Sequence, residues 1–326
     1  MPLGAKPKIL VTGANGFVGS GLLRRLSRDA QYEVVAAVRG DKRLATQVSR
    51  VHSVGDIGPI SDWSEALESV ETVVHAAARV HVMHGATHVQ DNSFHVVNVL
   101  GTLRLAHQAA QAGVRRFVFV SSIKVNGETT APNRPFTAYG TPAPLDPYGI
   151  SKMDAERLLL DLCASTGMDC TIIRPPLVYG PNVDANFRTL MRWVRCGIPL
   201  PLARIDNRRS FVALENLVDL IVVCLRHPAA TNQIFLVSDD EDVSTPQLVR
   251  LIAAALGRPP RLFSLPPEIL RWGGNMFGMS DITSRLCESL QIDIAKTRQM
   301  LGWSPPVAIA QGLRVTAESF LAQAAI

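Results

Sequence analysis

A short apolar run at residues 9–12 breaks into a turn with glycine at every third place, Gly13, Gly16 and Gly19, and continues as a helix-like stretch over 19–26. The first glycine permits a tight turn and the second lets backbone amides approach a phosphate group, while the helix start supplies partial positive charge. Such a unit needs a parallel neighbour. β-rich runs recur at residues 33–38, 72–76, 117–121 and 170–174, and helix-like stretches lie at 61–70, 96–112 and 148–165. This alternation specifies a parallel sheet covered on both faces. The expected fold is α/β, a doubly wound parallel sheet of the Rossmann kind over residues 1–175, followed by a smaller C-terminal substrate lobe over 176–326. Within the second half, helix-like segments at 187–196 and 214–225 flank a Pro/Arg-rich stretch at 197–209, and residues 233–237 return to extend the sheet.

Composition narrows the class. Hydrophobic residues are 47% and charged residues 19% of the 326, a globular balance. No apolar run reaches the ~20 residues of a membrane span, and no secretory signal precedes the first strand, so a cytoplasmic protein is expected. The five cysteines, Cys163, Cys170, Cys196, Cys224 and Cys287, form no Cys-x-x-Cys pair and read as reduced and structural. A net charge of +5 comes with neither a long basic run nor basic-aromatic interleaving. A polyanionic small molecule, rather than nucleic acid, is the implied partner.

Tyr148 and Lys152 stand four apart behind Asp146 and Pro147, which suit the N-cap and first position of a helix. Residues at that spacing share a helix face, so the ammonium can favour the ionised phenol and equip it for proton transfer. A surface Tyr and Lys would show the same spacing. The order glycine turn, Ser121-Ser122 at a strand end, then Tyr148 and Lys152 makes the stronger case for a dinucleotide site with its own acid/base. At the end of the second strand, where an acidic residue would bond the ribose 2′-hydroxyl of NAD, stands Arg39, followed by Asp41, Lys42 and Arg43. A guanidinium suits a 2′-phosphate, so NADP(H) is expected ahead of NAD(H). The competing reading leaves Arg39 solvated and gives the ribose to Asp41.

Together the motifs resemble the extended short-chain dehydrogenase/reductase family, in its nucleotide-sugar branch that contains UDP-glucose 4-epimerase. The resemblance rests on Thr12-Gly13-x-x-Gly16-x-x-Gly19, Gly55-Asp56-Ile57, His75-Ala76-Ala77-Ala78, Asn98-Val99-x-Gly101-Thr102, Ser121-Ser122 and the Tyr148/Lys152 pair. Arg174-Pro175-Pro176-x-Val178-Tyr179-Gly180-Pro181 and Lys296-Thr297-Arg298-x-x-Leu301-Gly302-Trp303-Ser304-Pro305 extend it over most of the chain. It implies Tyr148 as acid/base, Ser122 as hydrogen-bond donor to the reacting sugar oxygen, and Lys152 on the nicotinamide ribose. Asp56 and Ile57 would flank the adenine, and Ala76, Ala77 and Ala78 would pack along the cofactor. Asn98 would support the site through backbone hydrogen bonds. Asn15, Phe17, Val18, Ser121 and Pro175 complete the implied cofactor set. Arg79, Lys124, Asn126, Tyr179, Asn186, Phe187 and Arg209 are the implied contacts to a UDP-sugar. The helices at 96–112 and 153–165 match those the family uses in a homodimer.

A 4,6-dehydratase carries an acid/base immediately after the motif Ser/Thr. Ile123 cannot carry a proton, so dehydration is not expected. The run from Ser121 to Glu128 is similar to that of bacterial O-antigen and capsule enzymes that reduce UDP-4-keto-6-deoxy-N-acetylhexosamines. With Arg39, and with Asn126 where classical 4-epimerases often carry Tyr, it makes an NADPH-dependent 4-reductase the leading expectation. An NAD-dependent UDP-hexose 4-epimerase is the alternative, and a non-catalytic dinucleotide sensor the remaining one. His81, His84 and His88 could share a helix face, but no Asp/Glu-Cys set completes a tetrahedral site and no metal is expected. The apolar segment 262–279, with Trp272 and Phe277, is too interrupted by Pro and Gly for a membrane-surface helix and reads as lobe core or lid.

Overall fold

The computed structural model of the protein describes residues 6–29, 31–40, 44, 46–80, 93–276 and 280–324. Its strands are β1 (Lys8–Thr12), β2 (Glu33–Val38), β3 (Arg50–Ser53), β4 (Thr72–His75), β5 (Arg116–Val120), β6 (Asp169–Arg174), β7 (Leu177–Tyr179), β8 (Phe211–Ala213) and β9 (Gln233–Leu236). Helices α1 (Phe17–Ser27), α2 (Thr102–Gln111), α3 (Pro147–Thr166), α4 (Ala185–Arg195) and α5 (Leu214–Arg226) alternate with them. The chain continues through α6 (Thr245–Ala255), α7 (Pro267–Met276), α8 (Ser280–Cys287), α9 (Ala295–Leu301) and α10 (Ile309–Gln323).

Among the described residues, seven strands form one sheet in the order β3-β2-β1-β4-β5-β6-β9, every pair parallel. The order reverses at β1, so a crevice opens beyond the carboxyl ends of β1 and β4. Central strands are buried on both faces and therefore read as unbroken apolar runs. Val11, Val118 and Ile173 face α1 and α5 through Leu22, Leu217 and Ile221. Their neighbours Leu10, Phe117 and Ile172 face α2 and α3 through Leu105 and Leu159. A third core, with Tyr179, Phe187, Met191, Ile252 and Leu313, gathers α4, α6 and α10 beside the β7–β8 pair.

Three local features differ from the sequence expectation. Residues 61–70 form successive turns instead of a helix. Side chains compete there for the backbone: Asp62 accepts from Ser64 N (3.0 Å), Gln108 accepts from Trp63 N (2.7 Å), and Ser69 turns left-handed at φ 59°. The helix expected from 96 begins instead as a π-helix, His95–Gly101, which flows into α2. β3 has no apolar alternation to reveal it, since only His52 of its four residues is buried.

Asp239, buried just past β9, ties the lobe to the sheet. Its carboxylate accepts from Ala213 N (2.7 Å), Asn216 Nδ2 (2.7 Å) and Tyr179 Oη (2.7 Å). Asp239→Ala strands three buried donors at about 1–3 kcal/mol each, so urea unfolding of this variant is expected to show a loss of about 3 kcal/mol or more. A loss below about 1 kcal/mol would mean the join is held by apolar packing alone.

Candidate active site

The cofactor cleft is built on a close backbone approach. Gly13 turns with φ +65°, and a Cβ there would sit 2.8 Å from the backbone of Ala77. At Gly19 a Cβ would meet Gly13 O at 2.1 Å. Gly16 is the N-cap of α1 and brings no side chain to the first-turn amides, leaving them to an anion. They open on a cleft of about 350 Å³, whose wall includes Asn15, Arg39, Ile57, Trp63, Ala76, Ala77 and Ala78. Phe17 and Val18 turn inward and pack against the core. Free amides at one end and an apolar wall at the other fit the diphosphate and the adenine of a dinucleotide. At the rim, Arg39 Nε stands 3.2 Å from the exposed carboxylate of Asp56. Asp41, Lys42 and Arg43 lie outside the described residues.

α3 carries Tyr148 and Lys152, the expected acid/base pair. Asp146 caps it by accepting from Gly149 N (2.7 Å), and Pro147 occupies the first turn. Tyr148 is half-buried and lies beside Ser122, the residue that follows Ser121 beyond β5. Burial pushes the Tyr148 phenol up to about 12; the Ser122 hydroxyl pulls against this and the Asp146 charge adds to it. Lys152, fully buried, donates to Val120 O (2.8 Å) and lies 4.1 Å over the Phe119 ring. Burial lowers its ammonium to about 7, with Glu156 opposing.

Below the pair runs a buried polar chain. Thr102 donates its hydroxyl proton to Asn98 O (2.7 Å), so it can only accept from His75 Nε2 (3.0 Å). His75 Nδ1 then accepts from Thr12 Oγ1 (2.7 Å), which in turn accepts from Ala77 N (3.3 Å). These bonds fix His75 as the neutral Nε2–H tautomer. Burial, reinforced by the Lys152 charge, holds His75 down at about 3. Asn98 accepts from Arg79 N (2.8 Å) and donates to Arg79 O (3.1 Å) and Ser151 Oγ (3.0 Å). The π-helix, the Ala76–Ala78 wall and α3 are joined in this way.

On the sugar side the residues divide. Lys124 is gripped by Asp146 and by Glu128 (3.0 Å) instead of projecting freely. Asn126 is buried, accepting from Arg174 Nη1 (2.9 Å) and donating to Thr137 O (3.1 Å). Pro175 O accepts from Ile123 N (2.9 Å). Tyr179 and Phe187, whose rings stack at 5.6 Å, lie in the lobe's core, where an apolar pattern serves packing. Asn186 and Arg79 are exposed. Arg209 donates to Glu288 O (2.9 Å), and burial, with the like charge of Arg285, lowers its guanidinium to about 10. The charge of Glu128 acts on Arg209 in the opposite sense, which links Arg209 to the Lys124 cluster. Among the described residues no group of three or more His, Cys, Asp or Glu is placed to hold a metal; His81, His84 and His88 lie outside them. No helix among them is long and apolar enough to cross a membrane.

Residues 9–238 match the NAD dependent epimerase/dehydratase family. The chain is an enzyme of that family. It is 46% identical over 314 residues to a Vibrio cholerae protein named UDP-glucose 4-epimerase, covering 96% of this chain and 95% of the relative. Its fold is similar to MoeE5 in complex with UDP-glucose and NAD, with TM-score 0.77, 26% identity and coverage of 98% and 100%. It is also similar to UDP-glucuronic acid 4-epimerase from Bacillus cereus in complex with NAD, with TM-score 0.78, 21% identity and coverage of 97% and 99%.

In this epimerase/dehydratase enzyme the structure brings near the candidate site three residues to which the sequence assigned no role there. Glu156 lies one helical turn beyond Lys152, Arg174 ends β6, and Arg285 stands beside Arg209. The i, i+4, i+8 series of Tyr148, Lys152 and Glu156 was a visible signal for the first. Arg285 had none, because α8 is distant in sequence. A phenol raised to about 12 keeps its proton through the neutral range. Near-ultraviolet titration of the cofactor-free enzyme against Tyr148→Phe is expected to show no Tyr148 phenolate below the ordinary 10.0; phenolate forming near neutrality would show that burial does not govern this group.

Proposed function

We propose that the enzyme is an NAD-dependent UDP-hexose 4-epimerase in which Tyr148 and Ser122 handle the C4 oxygen. The observation that supports this reading is Tyr148 set against Ser122 in the candidate site, with the nearby carboxylate of Asp146 paired to Lys124. Ile123 is buried and aliphatic, and Lys124 is held by two carboxylates, so nothing adjacent is equipped to expel water from the sugar. Proton exchange at one oxygen remains. The relative at 46% identity, named UDP-glucose 4-epimerase, supports epimerisation ahead of reduction.

Bound NAD supplies the acceptor and donor of hydride. Tyr148 takes the proton of the C4 hydroxyl and returns it to the same oxygen, with Ser122 holding that oxygen in hydrogen-bond reach. Lys152, beneath the phenol's helix turn, favours the ionised phenol when itself charged. Arg209 and Arg285 offer two cations to the substrate diphosphate. We place the enzyme in the cytoplasm as a homodimer through α2 and α3, where Ile150 is exposed.

One observation favours a second reading, the NADPH-dependent 4-reductase. Arg39 stands at the cleft rim where a 2′-phosphate would lie, although Asp56 engages it. Fluorescence titration of cofactor-stripped enzyme separates the two. The epimerase reading expects NADH to bind at least as well as NADPH, and UDP-glucose to give UDP-galactose without net NADH. NADPH bound more than about tenfold tighter, with the preference lost in Arg39→Asp, would transfer the assignment to the reductase. Tyr148→Phe is expected to lower kcat by about 10²–10⁴-fold while leaving NAD binding intact.

A further inference from the structure

Behind the acid/base pair lies a buried network that never touches the cleft. Glu156 and Arg174 form a two-pronged ion pair, with Arg174 Nη2 2.5 Å and Nε 3.2 Å from Glu156 Oε2 and Nε 2.9 Å from Oε1. Both residues are more than nine-tenths buried, as are Ser121 and Asn126. The remaining bonds of the pair go to the segments that carry the chemistry. Ser121 donates to Glu156 Oε1, fixing the strand end beside Ser122. Arg174 Nη1 donates to Asn126 Oδ1 (2.9 Å), and Asn126 reaches on to Thr137 O (3.1 Å). That chain spans the 3₁₀ turn Ile123–Val125, whose first backbone amide is held by Pro175 O, directly after Arg174.

A buried ion pair is a poor way to gain stability, because desolvation offsets most of the attraction and apolar residues of similar volume often serve as well. Its value lies in direction. A planar guanidinium and a carboxylate admit few geometries, and each free position here is used to orient a site segment. We propose that Glu156 and Arg174 are the positioning residues of the acid/base site, setting Ser122 and the 123–127 turn against α3. The proposal rests on Tyr148 and Ser122 as the acid/base pair and not on which sugar is bound.

Other groups facing Lys152 and Tyr148 do not replace Glu156. His75 from β4 is held neutral, Asp146 acts on Tyr148 and is paired with Lys124, and Lys296 from α9 is a further cation near Arg174. Removing the Glu156 charge therefore leaves Arg174 a buried cation without its carboxylate and releases Ser121 at the strand end.

The test uses full-length Glu156→Gln, Glu156→Asp and Ser121→Ala with NAD bound. Crystal structures of the NAD-bound variants without sugar are expected to show Ser122 and the 123–127 turn displaced from the wild-type position in Glu156→Gln and returned part of the way in Glu156→Asp. With substrate, kcat of Glu156→Gln is expected to fall about tenfold or more with KM within about twofold. Ser121→Ala keeps both charges and frees the strand end, so it is expected to lower kcat with KM within about twofold. A folded, NAD-binding Glu156→Gln with Ser122 in its wild-type position and wild-type kcat would overturn the proposal. Should Glu156→Gln fail to fold, Ser121→Ala decides, and unchanged kcat there overturns it equally. An enzyme inert toward every UDP-hexose, with Ser122 still displaced in Glu156→Gln, would refute the epimerase reading and leave this positioning role standing.

Discussion

Where β1 ends, the backbone of Gly13 passes so close to Ala77 that a single added carbon would lie 2.8 Å from it. That approach brings the carboxyl ends of β1 and β4 together at the point where the strand order reverses. The glycine turn, the Ala76–Ala78 wall and the uncapped start of α1 then converge on one cleft. It also lets Ala77 N reach Thr12 and join the polar chain through His75 to the π-helix. Cofactor cradle and catalytic floor are therefore one construction, and a side chain at residue 13 would disturb both.

Around Tyr148 the interior acts on charge in one consistent sense. Burial pushes the phenol up to about 12 and the Lys152 ammonium down to about 7, so both groups resist charge in the cofactor-free enzyme. Ser122 and Glu156 are the groups that oppose those shifts, and each sits within hydrogen-bond or one-turn reach of its target. Under the proposed acid/base role, Tyr148 would hold its proton at rest and exchange it once a ligand changes that balance.

Local features could be seen in the sequence because their physics is local. The glycine turn and the Asp146-Pro147 cap each act within a few residues, and so does the four-residue step from Tyr148 to Lys152. The parallel sheet followed from runs buried on both faces, and the return of β9 to its edge lies where residues 233–237 were expected. What could not be seen depends on partners far along the chain. Arg39 meets Asp56 from the following loop, Asn126 meets Arg174 across 48 residues, and Tyr179 meets Asp239 across 60. Those contacts place Asn126 and Tyr179 in buried networks, although their residue types suit a substrate surface equally. The 61–70 segment has helical periodicity, but Asp62, Ser64 and Gln108 claim its amides first.

Hydride chemistry at C4 is tested most directly by turnover of a UDP-hexose carrying deuterium at C4, read by nuclear magnetic resonance. With hydride withdrawn and returned within one site, and Tyr148 exchanging only the oxygen's proton, the epimerised product is expected to keep its label at C4 in bulk water. Loss of the deuterium to solvent, or a product formed only as NADPH is consumed, would contradict that chemistry.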